Sequence, residues 1–174
     1  MLQNTLKKIR ARRDGEEGFT LIELMVVVLI IAILIAIAIP TFLGAKSRAQ
    51  DKASQSNLRN GVTAAKTVFS DHQDYADATT AALVQVEPSL NFVAATTTSN
   101  VPKDVSVLVA DSDANAANGS DTIYMASVAK SGKCWAAKDT QTGTAAATQY
   151  GELTTGACNA TNASTGVTNW ADSF

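Results

Sequence analysis

"EEGFTLIELMVVVLIIAILIAIAIPTF", residues 16–42, is the stretch that decides the fold. From Leu24 to Ile39 sixteen consecutive residues are apolar, and one acid, Glu23, stands just before them between Ile22 and Leu24. A helix rising about 1.5 Å per residue through Leu43 is long enough to cross a hydrocarbon layer of about 30 Å. Ordinary secretory signals have an apolar run of about 7–15 residues and a small-residue cleavage site. Here the run is longer, carries an acid near its start, and ends in Pro40-Thr41-Phe42 without such a site. An uncleaved anchor explains the length but not Glu23.

The flanks orient this segment. Residues 1–18 hold Lys7, Lys8, Arg10, Arg12 and Arg13 against Asp14, Glu16 and Glu17, whereas the whole 174-residue chain carries a net charge of −2. A basic stretch before an apolar span keeps the N-terminus cytoplasmic and sends the rest outward. There, Cys134 and Cys158 can form one disulfide. The acidic total supplies no bulk basic field, so no specific nucleic-acid site is evident.

From Phe19 the chain reads as one helix to about Ser70. Its first half is apolar all round, as in a membrane or otherwise buried helix. Pro40 removes a backbone donor and is expected to kink it, and Gly44 lowers local propensity. Beyond, Leu58, Val62, Ala65 and Phe69 form a single stripe at i, i+4, i+7 and i+11 that should pack on a head. The expected organisation is a leader (1–18), an apolar helix (19–43), its amphipathic continuation (44–70) and a head (71–174). In the head a short helix is expected at about Thr79–Val86, stopped by Pro88. Strand-like runs follow at 104–110, 122–129 and 133–139, with turns at Asp111–Asp121 and Ser131-Gly132, which reads as an antiparallel meander. The tail from Thr140 is rich in Thr, Ala, Gly and Asn and offers little core-forming material.

Glu23 has a physical use if the chain is cut after Gly18. Phe19 then becomes a free amine, the helix N-terminus favours a carboxylate in its first two turns, and Glu23 can accept an amine from its own or an adjacent chain. In a low-dielectric bundle, pairing the two charges sets axial register.

"GFTLIELMVVVLIIAILIAIAIP", residues 18–40, resembles the N-terminal signature of type IV pilins and pseudopilins: Gly, Phe, Thr-Leu-Ile-Glu, then an apolar run ending in Pro. The resemblance implies an α+β fold, a long N-terminal helix packed on a small antiparallel sheet, with Cys134 and Cys158 closing a C-terminal disulfide. It implies cleavage by a prepilin peptidase between Gly18 and Phe19, N-methylation of Phe19, docking of a neighbour's amine on Glu23, and a bend or melted stretch near Pro40. The implied product is a homopolymer built by helix packing from a single-pass cytoplasmic-membrane precursor with its head outside, ending in an extracellular filament. A cytoplasmic ATPase would have to belong to the assembly machinery, since no phosphate-binding loop is present. Alternatives are a pseudopilin of a type II secretion system, a minor pilin, or a monomeric signal-anchored surface binding protein.

Other motifs are weaker. His72 is the only histidine, sits in "SDHQD", and has no recognisable nucleophile arranged with it, so no enzyme is expected. Two cysteines and one remote histidine make no metal site, and no cofactor is expected. "DSDANAANGSD" (111–121) opens like a calcium loop with Asp111, Asp113 and Asn115, but Ala116 replaces the turn glycine and Thr122 the closing acid. It reads as a polar hairpin loop. Asn118, Asn159 and Asn162 head formal glycosylation sequons, and Tyr124, Trp135 and Tyr150 read as sheet core or rim.

Overall fold

The computed structural model describes residues 18–111, 119–141 and 146–174. The expected leader lies outside these residues except for Gly18, as does most of the 111–121 loop. Two compact units meet at the Gly44–Ala45 boundary.

A single helix, α1 (Leu21–His72), runs through that boundary. Up to Gly44 it makes no core of its own. Every large apolar side chain from Phe19 to Leu43 is exposed, and the helix is long and apolar enough to cross a membrane. The helix runs on through Pro40 without a break in its assignment. Proline deprives the Ala36 carbonyl of its usual N–H partner, and the next residue, Thr41, turns its hydroxyl back onto the Ile37 carbonyl at 3.0 Å.

From Ala45 onward the chain forms a head. Leu58, Val62 and Ala65 are buried as the stripe requires and Phe69 packs beside them, with Ser54, Gln55, Gly61, Ala64 and Val68 widening the buried face. Small residues let this helix lie close on the sheet: a Cβ built on Gly61 would sit 3.1 Å from the Met125 sulfur. After a 3-10 turn (Tyr75–Asp77) comes α2 (Thr80–Val86). Thr79 caps it by accepting the Ala82 N–H at 3.2 Å, which fixes the helix start within a residue of expectation.

Five strands follow: β1 (Asn91–Ala94), β2 (Asp104–Ala110), β3 (Thr122–Val128), β4 (Cys134–Thr140) and β5 (Ala147–Leu153), in spatial order of sequence. β2 to β4 make the expected antiparallel meander, and β5, which is not among the expected strands, extends it. The expectation of a purely antiparallel sheet is corrected at one edge, where β1 pairs parallel with β2. This strand is too short to show an alternating pattern, and hydroxyls hold it in place. Ser106 donates to the Ala94 and Ala95 carbonyls at 3.0 and 3.1 Å, and Ser99 to the Asp104 carbonyl at 2.8 Å.

The tail is also better structured than its composition suggests. It supplies β5 and a short helix, α3 (Ala160–Gly166). Strand alternation gives the sheet two covered faces. Val105, Val107, Ile123, Met125 and Ala137 face α1, while Ala126, Cys134, Ala136 and Leu153 form a second, smaller core with Ala163 and Val167. Alanines on both sides permit close contact where larger residues would hold α3 away. The disulfide joins Cys134 to Cys158, tying the start of β4 to the residue before the α3 cap. Closing a loop of this size is worth about 3 kcal/mol in the chain-entropy account.

Candidate functional site

The start of α1 is built by two side chains. Thr20 donates both its backbone N–H and its hydroxyl to Glu23 Oε2, each at 2.8 Å. In return the Glu23 N–H donates to the Thr20 hydroxyl oxygen at 3.2 Å, and the Leu24 N–H reaches the Thr20 carbonyl at 3.3 Å. This is a reciprocal capping box, Thr-x-x-Glu, which satisfies N–H groups that a helix otherwise leaves without partners. Reading Glu23 through dipole and amine alone misses the part of Thr20, although the three-residue spacing of Thr-x-x-Glu carries the signal.

Both bonds converge on Oε2, and Oε1 accepts none from the described residues. Gly18, Phe19, Thr20 and Glu23 line a shallow cleft of about 420 Å³. Phe19 is 89% exposed, and a Cβ built on Gly18 would meet nothing within 4 Å. Packing among the described residues therefore does not demand glycine there. The arrangement can present a fixed, singly occupied carboxylate beside an exposed peptide bond, on a helix whose next turns are entirely apolar surface.

The other singled-out residues lie elsewhere. His72 ends α1 with Nδ1 3.2 Å from the Val68 carbonyl. Among the described residues no three His, Cys, Asp or Glu side chains gather as metal ligands. Asp113, Asn115, Ala116 and Asn118 fall outside the described residues. Asn159 is buried and caps α3, accepting the Asn162 N–H at 2.8 Å, while Asn162 donates to the Ala157 carbonyl at 2.9 Å. Tyr124, Trp135 and Tyr150 lie half-buried on the sheet. Trp135 and Tyr150 flank Phe174, with the Arg59 guanidinium over the Tyr150 and Phe174 rings.

One buried polar cluster has no signal in the sequence. Asp139 is wholly buried on β4. Its Oδ2 accepts from the Tyr75 hydroxyl and from Gln141, and its Oδ1 accepts from Thr148 at 2.5 Å and faces Lys66 Nζ at 3.1 Å. Burial, and then the hydrogen bond to Asp139, push the Tyr75 phenol well above its ordinary range. The cluster links α1, the 3-10 turn, β4 and β5, and its groups are all engaged with one another.

A long helix that is apolar surface in one half and core in the other, joined to a sheet with a disulfide, is a pilin-like α+β fold. Residues 13–39 match the family described as the prokaryotic N-terminal methylation motif. The chain is 50% identical over 60 residues to the type IV major pilin protein PilA of Myxococcus xanthus, covering 34% of this chain and 27% of that protein. It is 42% identical over 59 residues to the type IV wide pilus major component PilA4 of Thermus thermophilus, covering 34% of this chain and 45% of that protein. These matches thus span less than half the length of either relative. No solved structure gives a match. Over its N-terminal segment the chain is similar to type IV pilins.

Proposed function

We propose that this chain is a structural, non-catalytic subunit of a type IV pilus-like filament. It is made as a membrane-inserted precursor, cut by a prepilin peptidase between Gly18 and Phe19, methylated at the Phe19 amine, and polymerised through the apolar half of α1. The carrying observation is the capped start of that half: Glu23 is held by Thr20 through one oxygen, while the other accepts nothing from the described residues. Cutting after Gly18 leaves the Thr20–Glu23 box intact and creates an amine one residue before it. Oε1 then accepts that amine from an adjacent copy, and the exposed apolar side chains exchange lipid for one another. Gly18, unconstrained by the described residues, suits a peptidase that needs an extended, unhindered backbone. Transport to the surface and the energy for assembly come from cytoplasmic machinery with its own ATPase.

Mass spectrometry on filaments sheared from cells tests the reading. The expected species begins at methylated Phe19, and a surface protein that retains residues 1–18 would overturn it. Glu23→Ala should leave processed chain in the membrane and abolish filaments. A monomeric anchored binding protein would keep its surface exposure unchanged by that substitution.

A further inference from the structure

The charged side chains of the head are segregated. Lys46, Arg48 and Lys52 follow the end of the apolar run at Leu43 and are all exposed. The β3–β4 turn brings Lys130 and Lys133, also exposed, to the same place, because the Ser131 hydroxyl between them donates to Asp51 on α1. The carboxylates here are already engaged: Asp51 by Ser131, Glu152 by Lys133 at 3.1 Å, and Asp104, at the start of β2, by the Asn91 amide and the Asn100 and Val101 N–H groups. The acids Asp71, Asp74 and Asp77 stand instead around the end of α1 and the turn after it.

Helix stability does not account for this pattern, since acids at a helix C-terminus oppose its macrodipole. Orientation in a membrane does not account for it either. Cations on the flank opposite the basic leader work against the positive-inside bias. The remaining basic groups of α1 have partners inside the head, Arg59 over aromatic rings and Lys66 on Asp139, whereas this set has surplus positive charge facing solvent.

We propose that this cationic end of the head docks on the anionic phosphate headgroups of the outer leaflet, holding the precursor and the processed monomer seated at the membrane before assembly. The inference rests on the membrane-inserted state proposed above. Counted from Ala45, Lys46, Arg48 and Lys52 lie about 1.5, 4.5 and 10.5 Å along the helix, and an interfacial layer is about 5–8 Å deep on each side of the hydrocarbon. Helical side chains lean toward the N-terminus, which here is the direction of the apolar run. Long lysine and arginine side chains carry their charge further along that direction. Lipid is favoured over a second copy because sequence adjacency alone brings these residues to a bilayer surface, whatever the copy number. Each basic residue near an anionic surface is worth about a fivefold change in partitioning, and the attraction falls with salt.

The test uses the full mature chain in nanodiscs of phosphatidylcholine, alone or with a third replaced by phosphatidylglycerol, followed by amide hydrogen exchange. Exchange across 129–133 should slow about fivefold or more in the anionic discs, and the difference should vanish in molar salt. Lys130→Gln with Lys133→Gln should reduce the difference several-fold while β3 and β4 keep their protection, and Lys138→Gln, further along β4, should leave it. Equal exchange in both lipids overturns the proposal and leaves the pilin reading standing. Slowing that follows the number of chains per disc rather than the lipid also overturns it and assigns the surface to a second copy. A chain that stays with neither disc overturns this proposal and the membrane-inserted precursor together.

Discussion

Removing the Asp139 carboxylate should unfasten the head. Asp139→Ala deletes an acceptor shared by Tyr75, Gln141, Thr148 and Lys66. Hydrogen bonds to a charged group are worth about 1.5–3 kcal/mol each and do not add. Breaking a buried ion pair from one side costs about 3–5 kcal/mol. The Lys66 side chain is 44% exposed, so water recovers part of its charge and the lower end applies. Tyr75, however, is wholly buried, and its hydroxyl loses its partner. The expected loss is about 3–4 kcal/mol, or a Tm fall of about 10–15 °C for a head of this size. Unfolding of the full chain in mild detergent, read by the fluorescence of Trp135 and Trp170, measures it. Tyr75→Phe should cost less and change the pH profile. Burial raises the Tyr75 pKa in the folded state, so the native chain keeps a proton that the unfolded chain loses near pH 10. Stability is therefore full below about pH 10 and falls above it, by up to about 1.4 kcal/mol per pH unit. Tyr75→Phe should remove that fall; the raised Tyr124 phenol is present in both proteins and cancels in the comparison. A loss under about 1 kcal/mol for Asp139→Ala, against the cost of an orphaned buried hydroxyl, would refute the view that this cluster holds the sheet to α1.

Cys134→Ser with Cys158→Ser should cost about 3 kcal/mol in the same unfolding assay, and reductant should destabilise only the parent protein. Gly151→Ala places a Cβ against the Val167 side chain and 3.1 Å from the Asn169 carbonyl. It should cost about 1–3 kcal/mol and raise hydrogen exchange across 167–171. Thr20→Val keeps the shape at the helix start but removes the hydroxyl that bridges to Glu23. Filament yield on sheared cells should fall for Thr20→Val and be retained by Thr20→Ser, and equal yields would show that the cap has no part in assembly.

The sequence is most informative where one pattern dominates. The apolar run admits only a helix, and the Leu58, Val62, Ala65 stripe is a helical face by spacing alone. β2 and β3 are dense in β-branched residues, and their ends fall within a residue of expectation. β1, β5 and α3 escape a reading of the sequence for a shared reason: Asn91–Ala94 is too short to show a period, and Ala147–Leu153 and Ala160–Gly166 are made of small and polar residues. β5 and α3 depend on close contact with alanines on β3 and β4, and β1 on pairing with β2 and its Ser106 hydroxyl, information held in the partner strands rather than in the segment. At the candidate site, Glu23 stands out because a charge in an apolar run is conspicuous. Thr20 does not, because a threonine before a helix is ordinary until its hydroxyl is seen on Glu23. Asp139 is invisible for the opposite reason: its partners come from positions 66, 75, 141 and 148, and only the fold brings them together.

The contacts that fasten α1 to the head have a consequence for the order in which the chain matures. Ser54 bonds a residue 73 positions later, Asp51 one 80 later, and Lys66 one 82 later. Synthesis delivers the helix first and its sheet later, so the buried stripe waits uncovered until β2 to β4 have been made. Ordering by such distant contacts is slow, and the crosslink at Cys158 comes later still. Through that interval the amphipathic half of α1 has its apolar stripe made and nothing of the sheet yet to cover it.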